Sequence, residues 1–223
     1  MAKSKKKIQI SLPYSIVQTF IALRSRNYRL WFIGQLISLV GTWMQTTAQG
    51  YLIFQLTGSP AYLGYASFAS GMPSWLFMLY AGVLSDKISR RRMLVITQVV
   101  MMTLALVLAG LVFTGLVLPW HILVLALLLG VANAFDAPAR MAFTVELVDD
   151  RRDLTNAIAL NATMFNSATF VGPAIGGLAY AAFGPGWCFT INGISFIAII
   201  IGLLMMRISP VHLRSEKHPQ LAI

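Results

Sequence analysis

Apolar residues run through the chain in six long blocks, at about 30–55, 60–84, 93–116, 119–144, 155–183 and 187–206. A helix needs about 20 residues to cross about 30 Å of hydrocarbon, so each block predicts a transmembrane helix. Several are long enough to tilt or protrude. The predicted fold class is an all-α membrane protein with six transmembrane helices. The connections alternate in character. Thr57-Gly58-Ser59-Pro60, Leu118-Pro119 and Gly184-Pro185-Gly186 are short and made of turn residues. The others are longer and charged. The segment 145–154 carries Glu146, Asp149, Asp150 and Asp153 beside Arg151 and Arg152, and reads as a surface helix or turn bearing a solvated charge cluster.

Polar positions inside the blocks are few and patterned. Gln35, Ser38, Thr42, Gln45 and Gln49 follow one another at steps of three and four, which puts them on one face of the first helix. Such a face is costly against lipid. It either glues helices together or lines an aqueous cavity. Both readings stand for Gln35 and Ser38; the cavity is favoured for Gln45 and Gln49. In the second block Gly64, Ser67, Gly71 and Ser74 form a close-packing face, and Pro73 predicts a kink. The fourth block aligns Asn133, Asp136 and Arg140, and Asp136 is the one carboxylate inside any block. An intramembrane ionisable residue points to a functional site. Asp136 lies near the inner end of its helix, so a structural ion pair with Arg140 is the first reading and a gating or coupling role the second. The fifth block holds Asn161, Asn166 and Thr169, then Gly172-Pro173-Ala174-Ile175-Gly176-Gly177, whose spacing allows close helix approach. Asn192 is a further amide in the sixth. Gln45, Gln49, Asn133, Asn161, Asn166 and Asn192 are thus the candidate cavity-lining residues. Amides together with Trp43 and Tyr51 suit a medium-sized, partly apolar ligand.

Composition agrees with the pattern: 57% of the 223 residues are hydrophobic and 11% charged, against about 25% charged in soluble domains. The net charge of +10 would suit nucleic acid, but the placement of the 17 Lys and Arg explains it otherwise. Lys3, Lys5, Lys6, Lys7, Arg24, Arg26 and Arg29 precede the first block. Lys87, Arg90, Arg91 and Arg92 follow the second. Arg140, Arg151 and Arg152 lie at or after the end of the fourth, and Arg207, Arg214 and Lys217 follow the sixth. The other connections carry none. This is the positive-inside pattern; it predicts a multi-pass protein of the bacterial inner membrane with both termini cytoplasmic and no nucleic-acid partner. Residues 1–29 then form a cytoplasmic N-terminal segment. Ile8, Leu12, Ile16 and Phe20 recur every four residues, so a short helix on the membrane surface and a loose tail are both open. The helical bundle spans 30–207, and 208–223 is a cytoplasmic tail or the start of a linker. Cys188 is a lone cysteine and reads as a packing residue. His121, His212 and His218 are scattered, and neither a metal-ligand cluster nor a phosphate-binding Gly-rich loop occurs. An enzyme, a metal and a cofactor are therefore not expected.

Two segments carry a family resemblance. Gly82-Val-Leu-Ser-Asp86-Lys87-Ile-Ser89-Arg90-Arg91-Arg92 resembles the signature between the second and third spans of the major facilitator superfamily, with Ser89 where a second Gly is usual. Ala168-Thr-Phe-Val-Gly172-Pro173-Ala-Ile-Gly176-Gly177 resembles the fifth-span motif of proton-driven antiporters. Asn133–Arg140 and Gly186–Phe189 resemble the branch that holds siderophore and drug exporters. The resemblance implies one six-helix repeat bundle, the N-terminal half of a small-molecule efflux transporter in the lipid bilayer. It implies that Asp86 braces a helix N-terminus of the C-terminal half, and that Arg90 pairs with a nearby acid, Asp136 among them. The partner half is missing here, or is supplied by a second chain or a homodimer; a fragment is the first reading. A non-transporting membrane fragment or interaction subunit is the alternative function.

Overall fold

The computed structural model describes residues 20–148 and 153–207, with the side chains at 78–79 and 83–87 outside that description. The N-terminal surface helix expected over Ile8–Phe20, except Phe20 itself, most of the charge cluster at 149–152 and the tail from 208 lie outside the described residues. A single 3-10 turn, Ile21–Arg24, leads into six α-helices: α1 (Arg26–Thr57), α2 (Pro60–Lys87), α3 (Arg90–Phe113), α4 (Pro119–Glu146), α5 (Leu154–Phe183) and α6 (Pro185–Met205). No strand occurs among the described residues. The helices run from 21 to 32 residues, and the shortest still reaches about 30 Å. Among the described residues three of them, α3, α4 and α6, are apolar enough by length and composition to cross a membrane. Six long helices thus stand where six spans were expected, and three of them have the composition of a span. α1 and α5 are diluted by the Gln, Asn, Ser and Thr of their polar faces, and several side chains of α2 lie outside the described residues.

The turns explain the boundaries. Gly58, Gly115 and Gly184 hold positive φ of 62°, 70° and 81° at one end of the bundle, a conformation that favours glycine. Pro60, Pro119 and Pro185 each begin a helix, where the missing N–H is not needed. At the opposite end Ser89 caps α3 at φ −57°, so serine replaces glycine there without strain.

Each helix has few strong neighbours, and these form a series: α5 on α1, α1 on α6, α6 on α3, α3 on α4, α4 on α2. Exchanging α1–α3 with α4–α6 returns the same series reversed. The bundle is thus two three-helix units of opposite direction, the inverted nesting found within transporter halves. Small residues permit the contacts. A Cβ on Gly34 would stand 2.9 Å from Ile199 Cα, one on Gly176 3.0 Å from Met44 Cα, and one on Gly130 would collide with the Ser70 carbonyl. Close backbone approach replaces the hydrophobic effect, which lipid does not supply between helices.

One end of the bundle is packed around Trp31, Phe143, Leu94, Ile199 and Leu203, the other around Ile53, Leu108, Ile122, Cys188 and Phe189. Trp31 meets Phe143 edge-on at 5.3 Å. At that first end Asn27 Nδ2 donates to the Arg207 carbonyl at 3.0 Å, Tyr28 Oη donates to the Ala157 carbonyl at 2.8 Å, and Arg90 pairs with Glu146. The starts of α1, α3 and α5 and the ends of α4 and α6 therefore share the basic end. α2 and α5, the ends of the series, leave large apolar side chains uncovered: Trp75 and Phe170 are 86% and 84% exposed.

Candidate functional site

The polar face of α1 meets α4 and α5 around a cavity of about 260 Å³. Gln35, Ser38, Leu39, Thr42, Trp43 and Thr46 of α1 form one wall. Asn133, Asp136 and Arg140 of α4 face them, Phe165 comes from α5, and Gln98, Met101 and Phe196 close the back. Thr46 also borders a second, more open and apolar hollow of about 380 Å³ with Thr47, Gly50, Tyr51, Phe54 and Leu63. Trp43 thus serves the first space and Tyr51 the second.

Asp136 is 1% exposed and is held from α3. Thr97 Oγ1 and Gln98 Nε2 both donate to its Oδ1, at 2.8 and 2.9 Å. Its Oδ2 stands 3.6 Å from Arg140 Nε, an ion pair one helical turn apart but too long for a hydrogen bond. The guanidinium of Arg140 lies over the Phe165 ring at 4.6 Å, a cation–π contact. The Gln98 amide has its orientation fixed, since only its NH2 can serve a carboxylate; its Oε1 is buried without a partner, as is Gln35 Oε1. Neither Thr97 nor Gln98 stood out in the sequence, although Gln98 is the one amide in α3. Phe165 looked like any other apolar residue.

The other sequence candidates fall in different places. Gln45 and Asn192 do not line the cavity: Asn192 Nδ2 donates to Gln45 Oε1 at 2.7 Å, both are buried, and the pair joins α1 to α6. A spacing of three and four averages 3.5 residues per turn, so the stripe drifts by about 20° every seven residues. Gln45, seven residues beyond Ser38, has rotated toward α6. Gln49 is half-buried and touches neither space. Asn161 is half-buried with Oδ1 unpartnered, and Asn166 is exposed on α5. Gly172 and Gly176 face α1, where a Cβ would meet Trp43 and Met44; Gly177 has nothing within 4 Å and Pro173 is half-buried within α5.

In the basic loop the backbone of Asp86 and Lys87 ends α2, and their side chains lie outside the described residues. Among the described residues no atom comes within 4 Å of a Cβ placed on Gly82. Arg90 does not reach Asp136. Its Nη1 contacts Glu146 Oε1 at 2.6 Å and the Ala142 carbonyl at 3.3 Å, because α3 and α4 are antiparallel and Asp136 lies about 15 Å deeper along α4. Arg91 donates to the Leu204 carbonyl at 2.8 Å, satisfying the end of α6. Arg92 is exposed. The described residues contain no cluster of His, Cys, Asp and Glu able to hold a metal.

Comparison with known proteins gives a consistent picture. The family described as transmembrane secretion effector matches residues 17–219. The staphyloferrin A transporter of Staphylococcus aureus is 25% identical over 194 residues, covering 86% of this chain and 47% of that protein. Macrolide efflux protein A of Streptococcus pyogenes is 24% identical over 181 residues, covering 81% and 44%. The enterobactin exporter EntS of Shigella boydii is 26% identical over 200 residues, covering 86% and 46%. The chain spans about half the length of the curated relatives it matches. No solved structure gives a significant match.

Proposed function

The chain belongs to the transmembrane secretion effector family of the major facilitator superfamily, and on that premise we propose that it is the N-terminal bundle of a secondary transporter that exports small molecules. The observation that carries this is the cavity. A face of amides and hydroxyls on α1 confronts a buried ion pair on α4 across solvent-sized space. Polar walls around such a space suit a solute that is held, released and held again, and the arrangement contains no constellation for covalent chemistry.

In this reading all six helices span the inner membrane. The polar faces of α1 and α5 that lower their hydropathy turn toward the cavity or a partner rather than lipid. The end bearing Arg26, Arg29, Arg90–Arg92 and Arg207 is cytoplasmic. The exposed faces of α2 and α5 receive a second six-helix bundle, on the same or another chain. The segment Gly82, Asp86, Lys87, Arg90, Arg91 and Arg92 gates the cytoplasmic side. Gly172 and Gly176 let α5 pack closely on α1, and Pro173 bends α5 as α1 moves.

A pump-deficient strain producing the protein with its second bundle tests the reading. It should accumulate less of at least one dye, in a set of neutral, anionic and cationic fluorophores, than the empty strain, and Thr42→Trp, which fills the cavity, should abolish the difference at equal membrane abundance. Export that survives Thr42→Trp removes the cavity from the transport path. For orientation, Leu116→Cys should react with an impermeant maleimide from outside the cell and Ser89→Cys only after permeabilisation. Native Cys188, fully buried, stays silent in this assay.

A further inference from the structure

Arg140 is under-used. Its side chain is 16% exposed, it lines the cavity, and its guanidinium makes no hydrogen bond among the described residues. Five N–H donors in a half-enclosed, low-dielectric space are costly unless something accepts them. Asp136 does not fill that need. It sits beside Nε at 3.6 Å, while its Oδ1 is taken by Thr97 and Gln98. The fork formed by Nη1 and Nη2 is left over. Exposure decides which charge an incoming molecule meets, and Asp136 is 1% exposed.

We propose that Arg140 anchors an organic anion in the cavity, its guanidinium fork taking a carboxylate in the bidentate geometry that arginine favours. This rests on the reading of the cavity as a small-molecule site and names the chemistry of its ligand. Phe165, whose ring centroid is 4.6 Å from the guanidinium carbon, and Trp43 supply aromatic walls, so the carboxylate is carried by an apolar or aromatic body. The ligand class is therefore a carboxylate carried on an aromatic or apolar body.

Three probes of nearly equal shape isolate the charge: salicylate, neutral salicylamide and cationic 2-hydroxybenzylamine. Each is titrated into the full chain in neutral-lipid nanodiscs and followed by saturation-transfer NMR, with empty nanodiscs subtracted. Salicylate should bind at least tenfold more tightly than either other probe. Arg140→Gln should weaken salicylate at least tenfold and leave salicylamide within twofold. Arg140→Lys, a point charge without the fork, should fall between. Asp136→Asn, which removes the competing anion, should bind salicylate at least as well as the parent. If the three probes bind alike, or Arg140→Gln weakens all three equally, Arg140 is only a structural partner of Asp136, and the anchor fails while the cavity survives as a binding site. If the cation binds best, Asp136 sets the charge preference and the proposal is overturned. If no probe binds a parent that elutes as a single helical species, the cavity reading falls with it.

Discussion

Gly41 is where the contact between α1 and α6 is tightest in chemical terms. A Cβ there would stand 2.6 Å from Ser195 Oγ and 2.7 Å from Asn192 Oδ1, with Asn192 Cα at 3.3 Å. The oxygens would be about 0.8 and 0.7 Å inside the 3.4 Å at which ordinary contact begins. Gly41→Ala must therefore displace Asn192, and Asn192 is what holds Gln45. Overpacking costs about 1–3 kcal/mol, and a lost interhelical amide bond about 0.6–2 kcal/mol in a membrane protein. The substitution should destabilise the bundle by about 2–4 kcal/mol. The measurement is a double-mutant cycle in equilibrium unfolding by SDS from mixed micelles. In the background Asn192→Ala plus Ser195→Ala both obstructing oxygens are gone and Gln45 has already lost its partner. There Gly41→Ala should cost less than about 1 kcal/mol, so the cycle returns a coupling of at least about 1 kcal/mol. An equal cost in both backgrounds would refute the packing argument, because the penalty would then arise from something other than those two atoms.

The other predictions use the same unfolding assay unless stated. Gly176→Leu, aimed at Met44 Cα, should cost about 1–3 kcal/mol, whereas Gly177→Ala in the same motif, with nothing within 4 Å, should stay within about 0.5 kcal/mol. Arg90→Ala should cost no more than about 1 kcal/mol, since its bond to Glu146 is one-third exposed on both sides, 33% and 34%; the loss should shrink in high salt. Asp136→Ala should cost about 3–5 kcal/mol by stranding Arg140, Gln98 and Thr97, and Arg140→Met added to it should recover part of the loss. Cys188 should resist maleimide in the folded chain and react only as α6 detaches, because it has no exposed surface.

The helices were legible because lipid imposes long apolar blocks and turns impose glycine and proline. Blocks expected at about 60–84, 119–144 and 155–183 became Pro60–Lys87, Pro119–Glu146 and Leu154–Phe183. The first helix begins earlier than its apolar block because Asn27 and Tyr28 find partners just past α6 and on α5, contacts that no local pattern announces. The site was half legible. Asn133, Asp136 and Arg140 were visible as a charged face, and Gln35, Ser38 and Thr42 as a polar one. What sequence could not supply was the register between helices. It is register that gives Arg90 to Glu146 rather than Asp136, Gln45 to Asn192 rather than to the cavity, and Thr97 with Gln98 to Asp136. Gly34, Gly41 and Gly202 went unread for the same reason: a lone glycine shows its purpose only once Ile199, Ser195 or the Leu30 carbonyl stands against it.

The inverted relation of α1–α3 to α4–α6 places these contacts in correspondence. α3 and α6 are counterparts, as are α4 and α1. Gln98 lies about two turns into α3 and bonds Asp136 of α4; Asn192 lies about two turns into α6 and bonds Gln45 of α1. Asp136 and Gln45 are each about three turns from the ends of their helices. The same buried lock is thus built twice, once toward each end of the bundle. The copies differ in chemistry. The α6–α1 lock is neutral and closed, an amide oxygen meeting an amide N–H with neither residue more than 5% exposed. The α3–α4 lock is ionic and open: it leaves Gln98 Oε1 unpartnered and brings Arg140 to the cavity with its fork free. Packing alone is served equally well by the neutral version, since burying charge gains nothing over a well-matched neutral pair. The ionic copy therefore answers to a different demand. It stands where α1, α4 and α5 leave space, so the departure from symmetry coincides with the one place in the described bundle where a charged group meets a cavity.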